Sequence, residues 1–376
     1  MALAFVRVRV VDAGGERTAW ADGMSFTLPA RFVEQTGWGA RITRDGDLAL
    51  PRHGDVSAAD AVDVRERAAF TDTPPASSRM PVSYQRVPGW VRALVASAVG
   101  RRQRRHVERW AAFPGWPLDL TADLLSDLAG APRMDVGRRT PVLLTHDIDS
   151  PEGLHNLVAD FLPIEEAVGA RSTSYVVPCG WPLDDEALEE TRRRGHEIGV
   201  HGYDHSNRTP FASPAERRRR IDAARPFVER YGAAGYRAPS LLRTRALIRD
   251  LTPLYAYDSS LPTSGGLFPV PNNGCATARP FVVEGMTEIP LTLPRDGSLR
   301  FLGHSPDEIV RIWTSCADAI ARSGGVVVLL THCEARFSGN RDMLQAYSRF
   351  IDYVRASPER FVFSTAADVA ARLPRS

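Results

Sequence analysis

The stretch Pro141-Val142-Leu143-Leu144-Thr145-His146-Asp147-Ile148-Asp149-Ser150 changes the character of the chain. Its apolar run is too short for a helix and ends in Thr, His and two carboxylates, so it reads as a buried strand with polar function at its carboxyl end. Comparable runs follow at 172–177, 197–200, 235–236, 254–257, 287–293 and 326–330, separated by helical stretches. That alternation predicts βα units, and hence an α/β fold. Two helix starts are written plainly. Ser213-Pro214-Ala215-Glu216 and Ser305-Pro306-Asp307-Glu308 each carry a capping residue, Pro at the first helical position and Glu two residues later. The second start leads Ile309, Ile312, Trp313, Cys316 and Ile320 along one face, and Gly324-Gly325 ends it.

In such folds chemistry collects where strands end. Asp147 and Asp149 follow the first run, His201 and His205 the third, Arg237 the fourth, Asp258 the fifth and His332 the last. A D-x-D or an H-x-x-x-H taken alone is more often turn, cap or core. Together, two imidazoles four residues apart and a carboxylate leave positions open for water and substrate on one divalent ion, an arrangement suited to hydrolysis.

In that order the motifs resemble the polysaccharide deacetylase family, also called NodB-like or carbohydrate esterase family 4. Its Thr-Phe-Asp-Asp motif is similar to Thr145-His146-Asp147-Ile148-Asp149, and its His-[Ser/Thr]-x-x-His motif to His201–His205. Its Arg-x-Pro motif matches Arg237-Ala238-Pro239, its fourth motif Asp258-Ser259-Ser260, and its Leu-x-x-His end Leu329-Leu330-Thr331-His332. The resemblance implies a distorted (β/α)7-type barrel. It also implies Asp147 as general base, Asp149, His201 and His205 as metal ligands, His332 as general acid, Arg237 orienting the base and Asp258 tuning His332. One divalent metal is implied, zinc first, with Co2+, Ni2+, Mn2+ or Fe2+ as alternatives. The residues themselves leave open which of Asp147 and Asp149 is base and which is ligand.

Three positions depart from the family pattern. Ile148 separates the carboxylates, His146 stands where an aromatic residue is usual, and Ser240 stands for Tyr after Arg-x-Pro. The D-x-D spacing resembles a divergent branch that includes hydrolases of cyclic amides and small substrates. His146, Tyr203, Ser240 and Thr331 are the candidate substrate-facing residues, with His146 also readable as structural. The expected reaction is N-deacetylation of an amino-sugar unit in a glycoside, nucleotide sugar, lipid-linked precursor or natural product. Ring opening of a cyclic imide or ureide and an inert carbohydrate-binding protein are the alternatives.

Residues 1–135 read as an appendage: short alternating strands to about residue 55 with a turn at Asp45-Gly46, a linker through Pro74–Ser78, then a helix over 88–110. Residues 136–376 form the expected barrel domain. The basic stretch Arg101–Arg105 reads as a solvated helix face ahead of a peripheral membrane contact. Trp110, Phe113, Trp116 and Trp181 fit core packing better than sugar stacking.

Across 376 residues, 47 Lys and Arg against 45 Asp and Glu leave a net charge of +2, which argues against a nucleic-acid partner. The expected partner is a small-molecule or sugar-conjugate substrate, and oligomeric state is not fixed by the sequence. Cys179, Cys275, Cys316 and Cys333 are far apart and read as reduced thiols. No apolar run approaches the roughly 18 residues a spanning helix needs, and the amino-terminal segment alternates like a strand. A cytoplasmic protein is the expectation.

Overall fold

The computed structural model describes residues 5–12, 15–50, 56–71, 73–79, 89–110, 118–265 and 273–373. Strands β1 (Phe5–Val11), β2 (Ser25–Pro29) and β3 (Asp47–Ala49) form a small sheet in the order β2-β1-β3. Alternation along β1 buries Val8 and Val10 and exposes Arg7 and Arg9, the period-2 pattern of a sheet with one covered face. Gly46 turns the chain into β3 at φ 84°, a left-handed conformation that glycine adopts without steric cost.

The main sheet contains β4 (Thr140–Ile148), β5 (Thr173–Val176), β6 (Glu197–Val200), β7 (Gly235–Tyr236), β8 (Tyr257–Asp258), β9 (Phe281–Val283), β10 (Met286–Glu288), β11 (Val327–His332) and β12 (Phe361–Phe363). Its order is β11-β4-β5-β6-β7-β8-β10-β9, and every pair is parallel except β9 with β10. β12 lies beside the start of β4, opposite Thr140–Val142, while β5 takes its end, opposite Thr145–Ile148. Beyond β10, the Leu293 N–H donates to Val328 O at 3.0 Å and brings the chain back to β11. The sheet is thus curled into a distorted barrel, with the three-stranded sheet appended. β9 and β12 have no counterpart among the expected strands.

Strand parity sorts the core. Leu143 on β4 and Val328 and Leu330 on β11 join Tyr175, Tyr257 and Leu291 inside the curl. Val142, Leu144, Val327 and Leu329 point outward, into the layer that includes Ile309, Ile312, Trp313, Cys316 and Ile320. The register pairs Asp147 with His332 and His146 with Thr331, so one facing pair points inward and the next outward.

The helix Pro306–Ser323 has the full capping box expected at Ser305 and Glu308, and Gly324 closes it in the left-handed conformation. At the other predicted start, Ser213 caps Glu216 N–H, but the Glu216 carboxylate binds Arg219 and Arg220 instead of reaching back.

The expected linker at 74–78 is partly a short helix, Ala76–Arg79, and it is tied down. Thr71 N–H donates to Arg243 O at 2.7 Å, Arg243 Nε to Ala69 O at 2.6 Å, and Asn207 Nδ2 to Ser77 Oγ at 3.2 Å. The helix Gly89–Trp110 is held by Arg104, which donates to Gly303 O at 2.9 Å. Arg101 and Arg102 on it are exposed. Phe113 and Trp116 and the side chains of Arg105 and Trp110 lie outside the described residues. Trp181 packs half-buried against the core. No described helix is long and apolar enough to cross a membrane.

Candidate metal centre and acid site

The β6 strand delivers His201, and the loop after it delivers His205. That loop is strained and tight: His205 and Asn207 have φ of 54° and 64°, and a Cβ on Gly202 would collide with the Pro239 ring. Glycine is therefore required where this loop meets the Arg237-Ala238-Pro239 turn. His201 Nδ1 lies 3.0 Å from Arg237 O, an acceptor, so Nδ1 carries the proton and Nε2 is left with a lone pair. His201 Nε2 stands 3.5 Å and His205 Nε2 3.3 Å from Asp149 Oδ1.

One ligand atom from each of Asp149, His201 and His205 falls within 4.8 Å of the others. Asp149 Oδ1 is buried without a hydrogen-bond partner, an orphan that a bound cation would satisfy. Burial works against the Asp149 carboxylate, but the facing His205 and His201, with His332 and Arg336, hold it down at about 2. Burial pushes His205 down to about 4 against the pull of Asp149. An ionised carboxylate and a neutral imidazole are the forms that ligate, so the donor set fits a divalent ion.

Arg237 is fully buried and organises the other carboxylate. Its guanidinium donates to Asp147 Oδ1 at 3.1 Å, Thr145 Oγ1 at 2.8 Å and Ser259 O and Oγ at 3.0 Å, and it stacks 4.1 Å from the Tyr175 ring centroid. Asp147 Oδ2 is 3.6 Å from His201 Nε2. Asp147, Asp149, His201, His205 and Arg237 are therefore brought together.

His332 comes to the same face from β11, but its partner is not Asp258. His332 Nδ1 pairs with Asp296 Oδ1 at 2.9 Å, and its backbone N–H donates to Asp296 Oδ2 at 2.8 Å. Ser338 Oγ and Gly297 N–H complete the carboxylate's shell at 2.7 and 2.6 Å. Burial opposes the imidazolium, yet Asp296, with Asp149 and Asp147 beyond it, outweighs that and raises His332 to about 9. Asp258 instead accepts the Ser260 hydroxyl at 2.7 Å, and Ser260 Oγ in turn accepts the Ala238 N–H at 2.8 Å. Its two-residue reach to Ser260 makes it a support of the Arg237 turn.

Two candidate substrate-facing residues are overturned. His146 and Thr331 are fully buried and hydrogen-bonded to each other at 2.9 Å on the outward side of the sheet, where His146 Nε2 meets Glu165 at 2.9 Å. The Tyr203 ring lies against the guanidiniums of Arg219 and Arg220, 5.6 and 5.2 Å from centroid to Cζ. Ser240 is half-buried in the turn after Arg237, at φ 53°. Asp296 is the site residue that reading the motifs missed. It follows the apolar run Leu291–Leu293, so the rule that pointed to the other strand ends points to it too.

Residues 136–254 match the polysaccharide deacetylase family model, which takes in the Asp147, His201 and Arg237 motifs. Over these residues the chain is similar to that family. The chain is also similar to Puue allantoinase (16% identity, TM-score 0.51, covering 68% of this chain and 97% of that one). It resembles a Mycobacterium smegmatis protein described as a polysaccharide deacetylase (21% identity, TM-score 0.49, 64% and 94%). A family 4 carbohydrate esterase from Streptomyces lividans in complex with acetate aligns at 15% identity and TM-score 0.40 over 61% and 93%. The allantoinase likeness shows the shared fold. A search of curated proteins returns no match.

Proposed function

We propose that the protein is a metal-dependent N-deacetylase acting on an acetylated amino-sugar unit of a glycoside or conjugate. The observation that carries this reading is the convergence of Asp149, His201 and His205 within 4.8 Å around a buried carboxylate oxygen that has no hydrogen-bond partner. A divalent ion held by these three residues, zinc first, supplies Lewis acidity to the amide carbonyl and to a water molecule.

The chain's own groups do the proton work. Asp147, aimed by Arg237, takes the proton of the attacking water. His332, its Nδ1 occupied by Asp296, has Nε2 left to protonate the departing nitrogen, without which the amine is a poor leaving group. The four cysteines are free thiols, one of them exposed, which is in keeping with a reducing compartment.

The test has two parts. Metal analysis of the His201→Ala/His205→Ala protein should find the ion gone, and Asp147→Asn should keep it while losing most of the rate. Metal retention in the double variant would remove the proposed metal site, and metal loss in Asp147→Asn but not Asp149→Asn would reverse the roles of the two carboxylates. A product screen should then find acetate released from N-acetylglucosamine-type conjugates. Opening of cyclic imides without any acetate would replace deacetylation by ring hydrolysis.

A further inference from the structure

Between the strand ends that bear Asp149 and His332 sits a buried carboxylate that no step above uses. Glu334 is 2% exposed. Its Oε1 accepts the Ser150 hydroxyl at 2.7 Å, and Ser150 Oγ accepts the Gly153 N–H at 3.2 Å, capping the helix Pro151–Asn156. The same helix is joined twice more to the segment after His332. Ala335 N–H donates to Glu152 Oε1 at 2.9 Å, and Asn156 Nδ2 to Cys333 O at 2.9 Å.

Room for the carboxylate is written into the sequence, because a Cβ at Gly153 would stand 2.8 Å from Glu334 Oε1. Glu334 Oε2 is buried with no hydrogen-bond partner. An unpaired buried polar atom destabilises the fold, so an apolar side chain would serve packing better. The bond made by the other oxygen is what sets Glu here apart.

We propose that Glu334 is a positioning residue: through Ser150 it fixes the Asp149 end of β4 against the His332 end of β11. This rests on Asp149 being a metal ligand. Groups that orient a ligand from behind contribute to affinity even though they do not touch the ion.

Zinc titration of the full chain against a chromophoric chelator reads this without any substrate, with circular dichroism and thermal melts to follow folding. Glu334→Ala should lower zinc affinity by about 10–100-fold. Glu334→Gln keeps a carbonyl oxygen for the Ser150 hydroxyl and should restore most of it. Gly153→Ala, which displaces Glu334 without altering charge, should follow Glu334→Ala and decides the matter if that variant does not fold. Folded Glu334→Ala or Gly153→Ala with undiminished zinc affinity would overturn the proposal, as would Glu334→Gln as impaired as Glu334→Ala. Zinc retained after loss of both histidines would sink the metal site itself, a separate outcome.

Discussion

Two imidazole–carboxylate pairs lie one residue apart on adjoining strands, and they face opposite ways. His332 and Asp296 face the inside of the curl beside Asp147. His146 and Glu165 face the outer helix layer, where Tyr347 donates a second hydrogen bond to Glu165 at 2.7 Å and Phe161 stacks edge-on against His146. Each pair is deeply buried, and each joins residues far apart in sequence. Strand parity decides which one faces the candidate metal centre: at a strand end, moving one residue moves the side chain to the other face. A buried His–carboxylate pair is therefore not in itself a mark of catalysis.

The comparison breaks most sharply under single substitutions. His332→Ala should reduce turnover by about 10²–10⁴-fold, the usual contribution of a general acid, and it should also lower thermal stability, because Asp296 is left buried without its imidazolium. His146→Ala should instead keep zinc affinity and turnover while destabilising the fold by about 1–3 kcal/mol, because Glu165 loses a buried hydrogen-bond partner. Steady-state kinetics beside urea melts would check both, and a His146→Ala protein that is stable but inactive would make the outward pair functional.

A smaller effect sharpens the inward pair. His332 is raised from an ordinary 6.5 to about 9, so it holds its proton at neutral pH and the rate should fall as pH rises through that region. A cation on Asp149 withdraws part of that carboxylate's support, so the alkaline limb of the loaded enzyme should lie somewhat below 9. Asp296→Asn should move the limb toward 6.5, whereas Asp258→Asn should leave it in place. Stability follows the same sign: a raised folded value contributes fully below about 6.5 and is lost as pH climbs through about 9. A pH–rate profile unchanged in Asp296→Asn would remove Asp296 from the acid.

Much of this was legible in the residues. The parallel strands announce themselves as apolar runs closed by polar residues, and the helix Pro306–Ser323 is spelled out from cap to glycine. The outward direction of His146 was readable too, since alternation sets it opposite Asp147. What escaped has physical reasons. β9 and β12 are three residues each, too short to show a period. Asp296 meets His332 across 36 residues, and Pro294-Arg295 stands between it and its apolar run, while Asp258 lay in the expected motif. The tie between the 69–77 segment and the loops after β6 and β7 joins residues 130 or more apart in the chain, a separation that no local pattern shows.

One consequence concerns the order of synthesis. Asp127 accepts from Trp20 Nε1 at 2.8 Å and, at both oxygens, from Arg133 six residues on, and Arg279 completes its shell at 2.8 Å from 152 residues further along. Asp123, by contrast, has its hydrogen-bond partners, Thr277 Oγ1 and the Ala278 N–H, in that later segment. As the chain leaves the ribosome, its first part cannot close around Asp123 until the strand region near residue 280 has emerged. The small sheet comes first in sequence, yet its seating on the barrel should be a late event, and a pause in translation before residue 277 should leave one acidic group in search of its partners.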